Sequence, residues 1–109
     1  MFRYQGTHIM NEKGWAASIL NNQDIESKHI TLNEKQDGRL AQQWDIMYAD
    51  EWKGEPGKGE LNPDFGLYIQ RPFYIKSALG SHRYLEVINS RNMVIKVKNS
   101  QKTQIWWFD

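Results

Sequence analysis

The amino-acid sequence predicts an all-β fold made of one four-strand unit written twice. Two observations carry this. Apolar residues recur with period two in short runs rich in β-branched and aromatic side chains, which is the pattern of half-buried strands. The phrase Gln-x-Trp also occurs twice, in "GRLAQQW" (Gly38–Trp44) and in "SQKTQIWW" (Ser100–Trp107), each time with a small residue four positions before the Gln.

Taken in order, the first unit runs from "HIM" through a second strand at Trp15–Leu20 and a third at His29–Glu34. In the third, Ile30 and Leu32 alternate with Thr31 and Asn33. Its fourth strand, "WDIMY", alternates Trp44, Ile46 and Tyr48 against Asp45 and Met47, and Trp44–Trp52 has room for a helical turn. "FGLYI" reads as a further strand through Phe65, Leu67 and Ile69. The second unit starts with "FYIKS", where Phe73, Ile75 and Ser77 share a face, followed by Tyr84–Ile88. In "MVIKVK", Met93, Ile95 and Val97 share a face opposite Val94, Lys96 and Lys98. The Gln-x-Trp strand closes it. Clusters of Asn, Asp, Gly and Ser stand between these runs as turn signals. No amphipathic helix is indicated. The long loop is "KGEPGKGELNP" (Lys53–Pro63). Its Gly57-Lys58-Gly59 lacks the spacing of a phosphate-binding loop.

Composition bounds the function. A chain of 109 residues makes one domain at most, or part of one. Net charge is +1, so no global field argues for nucleic acid. Residues 45–60 hold five acids and two lysines, and residues 81–109 hold five Lys or Arg and two acids; both stretches read as solvated strand faces. Cysteine and Asn-x-Ser/Thr are both absent, and "MFRYQGTHIM" lacks a signal-peptide layout, which together lean towards the cell interior. No apolar run approaches the roughly 20 residues of a membrane helix.

The paired motifs and the repeated strand order resemble the ricin B-type lectin family, over two consecutive lobes at about 5–70 and 71–109 of a single β-trefoil domain. A trefoil has three lobes, so the resemblance implies that the third is missing or supplied elsewhere. It also implies that Gly38, Gln42, Trp44, Ser100, Gln104 and Trp106 are structural: the Trp packs in the centre and the Gln ties neighbouring backbone together. Sugar-binding lobes of that family use an Asp on the second strand, an aromatic on the third and an Asn before the Gln. Here the Asp position falls on Ser18 and Glu86, the aromatic position near Asn33 and Lys96, and the Asn position on Ala41 and Thr103. Only the glutamines match, so both lobes read as eroded sugar sites.

Other chemistry is thin. His8, His29 and His82 have no metal-ligand spacing. Asp24 with Glu26, and Asp50 with Glu51, read as turn and surface residues. No catalytic set, metal or cofactor is indicated. On the terminal strand Trp106 and Phe108 are expected inward and Trp107 outward. Trp107 and Trp52 are the candidate partner surface. The expected function is a non-enzymatic binding or assembly module with a protein partner, or a subunit of a larger complex. A carbohydrate-binding lectin domain is the alternative. Nucleic-acid binding and membrane insertion are not expected.

Overall fold

The structure, a computed structural model, describes residues 2–49, 60–69, 71–80, 82–89, 92–99 and 101–108. It is all-β. The strands are β1 (Arg3–Gln5), β2 (His8–Met10), β3 (Trp15–Ile19), β4 (Lys28–Glu34), β5 (Trp44–Tyr48), β6 (Leu61–Asn62), β7 (Leu67–Tyr68), β8 (Phe73–Ser77), β9 (Arg83–Val87) and β10 (Met93–Val97). Eight of them form one antiparallel sheet in the order β1-β2-β3-β4-β10-β9-β8-β5, curled into a half-barrel. β6 and β7 pair separately as a small hairpin. Short 3₁₀ turns at Leu40–Gln42 and Lys102–Gln104 precede the two Trp residues of the motifs.

Alternation sets which side chains face the centre. In β8, Phe73, Ile75 and Ser77 are buried while Tyr74 and Lys76 are half-buried. In β5, Trp44 is buried and Asp45 and Met47 are exposed. These two strands pair residue for residue, from Trp44 opposite Ser77 to Tyr48 opposite Phe73. The core collects Ile9, Ala17, Ile19, Trp44, Phe73, Ile75, Leu85 and Ile95. A run of rings joins the chain's beginning to its end: Tyr4 stacks on Phe65 at 6.3 Å, and Phe108 lies 5.3 Å from both Phe65 and Phe73. Such ring pairs add directional contact to the area they bury.

Three local expectations change. Trp44–Tyr48 holds no helical turn; it is strand, because its inward residues follow period two and pair with β8. The rest of the stretch to Trp52 lies mostly outside the described residues. "FGLYI" is a strand only at Leu67–Tyr68, because the Asn62 side chain accepts the backbone N–H groups of Asp64 and Phe65 and holds them in a turn. β10 does not alternate cleanly: Val94 and Ile95 are both buried and Val97 is exposed. This strand lies between β9 and β4, and its exposed residue is the last of it.

Candidate functional site

The two Gln-x-Trp phrases make the same bonds in the two halves. Gln42 is fully buried. Its Nε2 donates to the carbonyl of Glu34 at 2.8 Å, and its Oε1 accepts the backbone N–H of Gln36 at 2.8 Å. Gln104, also fully buried, donates through Nε2 to the carbonyl of Val97 at 2.8 Å and accepts the N–H of Asn99 at 3.1 Å. Each amide therefore satisfies one donor and one acceptor where the chain leaves β4 or β10, an arrangement a buried amide needs.

The tryptophans repeat as well. Trp44 Nε1 donates to the carbonyl of Ala17 at 3.1 Å, and Trp106 Nε1 to that of Leu85 at 3.2 Å. The backbone N–H of Trp44 donates to Thr7, and that of Trp106 to Phe73. Gly38 lies in the turn before the first motif with φ +79°, a conformation that side chains disfavour. Its conformation, rather than crowding, is what calls for glycine, since a Cβ there would meet nothing within 4 Å. Ser100 lies outside the described residues.

The strand register places the residues compared with lectin sugar positions equivalently in the two halves. Ser18 stands opposite Thr31 and Asn33 opposite Ala16; Glu86 stands opposite Val94 and Lys96 opposite Tyr84. Ser18, and Glu86 with Lys96, make contacts within the chain. Ser18 is fully buried, and its hydroxyl donates to the carbonyl of Ala16 at 3.1 Å. Glu86 is 5% exposed, not on the solvated face expected for it. Its Oε1 accepts Asn99 Nδ2 at 3.0 Å, and its Oε2 lies 3.6 Å from Lys96 Nζ. A buried carboxylate requires such partners, since an unpaired charge costs several kcal/mol or more away from water. Ala41 is buried, and Thr103 is exposed on the turn before Gln104.

Sequence reasoning missed the contact between the halves. Arg83 reaches Asp24 at 3.1 Å and Glu26 at 3.2 Å. Glu26 Oε1 also accepts the backbone N–H of Val97 at 3.0 Å. Asp24 and Glu26 thus form an ion-paired clasp rather than a pair of free surface acids. A Cβ on Gly80 would lie 1.9 Å from Asp24 Oδ2, so glycine is what lets the clasp close. Nothing in the local sequence pairs Arg83 with acids more than fifty positions away.

The described residues include no group of three or more His, Cys, Asp or Glu side chains able to hold a metal ion. His8 is 6% exposed, and its Nε2 has no hydrogen-bond partner among the described residues. The Tyr4 hydroxyl donates to the Trp44 carbonyl, and burial, followed by the nearby Asp45 charge, raises its pKa. Trp107 is 58% exposed while Trp106 and Phe108 pack against the core. Trp52 lies outside the described residues. Among the described residues no helix is long and apolar enough to cross a membrane. No protein-family model, curated protein or solved structure matches the chain.

Proposed function

We propose that this chain is a non-enzymatic β-trefoil module of the ricin B-type lectin kind whose sugar positions have been given over to structure, and that it binds or assembles with other proteins. One observation carries the reading. Glu86, the one sugar-position residue that keeps a carboxylate, is buried and already bonded to Asn99 and Lys96. Its burial leaves a sugar hydroxyl little surface through which to reach it, and its counterpart Ser18 is fully buried with its hydroxyl proton given to its own strand. The trefoil assignment is supported by the matched Gln and Trp bonds, by the β5–β8 pairing across the halves, and by the bridge from Phe73 to Trp106. Protein binding is supported by Trp107, since an exposed Trp is a costly surface residue and a frequent interface anchor.

A glycan array probed with the whole chain tests the reading. The expected result is no glycan retained. A retained glycan whose signal disappears in Glu86→Ala, with the fold intact, overturns it and restores the lectin reading.

A further inference from the structure

The two halves differ most where one covers the other. The segment Asp24–His29 lies along the outer edge of β10. Ser27 donates its N–H to the Ile95 carbonyl at 2.8 Å, and Lys28 and His29 pair with Ile95 and Val94. Glu26 and Asp24 are held by Arg83. Beneath this cover Val94 is 1% exposed and Ile95 0%.

The strand register gives the equivalent seat in the first half. Trp15 pairs with Glu34 as Arg83 pairs with Val97, so Leu32 matches Ile95, Thr31 matches Val94, and Trp15 takes the place of Arg83. Among the described residues no cover is present here: β4 has only β3 and β10 as neighbours, and β10 reaches only Lys28 and His29. Thr31 and Leu32 stay half-buried, and Trp15 is 46% exposed. The uncovered edge opens onto two adjoining hollows that meet at Leu32. One lies between Trp15 and the Asn11–Lys13 turn. The other, of ≈ 370 Å³, runs past Thr31, Ala17 and Met93 to Phe2.

We propose that this groove seats an extended segment of a protein partner, added antiparallel to the outer edge of β4 at Thr31 and Leu32 and running on beside Asn33 and Glu34, the carbonyl of the last being already held by Gln42. This inference rests on the binding-module reading and names the partner's chemistry. Edge addition supplies backbone hydrogen bonds, and pockets for alternate side chains supply selectivity. The covered half shows the mode, since Ser27–His29 docks on β10 in just this way. The difference between the halves sets the selectivity. Arg83 recognises the acids of its segment, whereas Trp15 presents an indole face, so the partner places an apolar side chain where Asp24 and Glu26 stand in the covered half. A second copy of the chain is a poor occupant, because its own segment of this kind is already clasped by Arg83.

Two synthetic peptides spanning Gln23–Ile30 test the proposal, one native and one carrying D24V and E26V. Each is titrated into the ¹⁵N-labelled chain. The valine peptide is expected to move the amides of Thr31–Glu34 and the Trp15 indole signal, and to bind about tenfold more tightly than the native peptide. Trp15→Ala and, separately, Leu32→Lys should each weaken it by about tenfold or more, with the rest of the spectrum unchanged. Unmoved β4 amides, shifts centred on β10, or Trp15→Ala binding unchanged would each overturn the seat. Shifts at Ser18, Asn33 or Glu86 on adding simple sugars would instead overturn the reading on which it rests.

Discussion

Replacing Gln42 separates a structural amide from a ligand-binding one. In Gln42→Ala, the Gln36 N–H and the Glu34 carbonyl lose their partners, and a buried side chain is emptied. Each lost bond costs about 1 kcal/mol net, and more where the orphaned group stays dry. The cavity left by truncating a long buried side chain adds about 1–2 kcal/mol. The sum is about 3–4 kcal/mol, a large share of the 5–15 kcal/mol that holds a typical domain folded. At this chain length the melting temperature should fall by about 15 °C. Gln42→Glu is sharper because it leaves no cavity. A neutral carboxyl donates to the Glu34 carbonyl as the amide does; a carboxylate cannot, and its charge is buried. Burial therefore raises that carboxyl's pKa above its unfolded value. The folded state then holds the proton more tightly than the unfolded chain, so the variant gains stability as pH falls and loses it as pH rises through the folded pKa. Urea unfolding at about pH 7 and about pH 4, each against wild type, reads both effects; the Gln42→Glu deficit should be large at the first and small at the second. A Gln42→Ala loss under about 0.5 kcal/mol, the range of ordinary surface changes, would mean that the Gln42 amide does not hold the backbone together.

Other consequences follow from the same contacts. Trp44→Phe removes the indole bond to Ala17 from a fully buried site and should cost about 2–4 kcal/mol in chemical denaturation. Gly80→Ala should destabilise by about 1–3 kcal/mol by pushing Asp24 off Arg83. In an Asp24→Ala background the same change should cost much less, and a double-mutant cycle measures that coupling. Tyr4 has a raised pKa in the folded chain, so its contribution is complete below the unfolded tyrosine value and is lost as pH rises through the folded one. Melts across the alkaline range should show that loss, and Tyr4→Phe should flatten it.

Much of the fold was legible because the sequence carries strong local signals. β5 and β8 follow period two almost residue by residue, and their alternating faces are the ones buried. The equal spacing of Gln and Trp in the two motifs marks the positions where two equivalent backbone clamps form. What was not legible depends on distant contacts. Asp24 and Glu26 look like any turn acids until Arg83 is folded against them. Glu86 looks like an outward strand residue until Asn99, thirteen positions on, turns back to it. Trp15 opens a strand in both sequence and structure, yet its exposure depends on which segments lie over β4, and among the described residues none does, which no local pattern encodes.

The proposed function requires the repeated Gln-x-Trp phrase to be structural on both occasions, and the positions around it to take no sugar. A ¹⁵N–¹H spectrum of the chain, including the side-chain NH₂ groups of Gln42 and Gln104 and titrated with a panel of simple sugars, tests it most directly. Dispersed signals, side-chain amides of both glutamines protected from solvent exchange, and no shift with any sugar are the expected result. Rapidly exchanging glutamine amides, or sugar-induced shifts clustered from Ser18 to Gln42 or from Glu86 to Gln104, would contradict it.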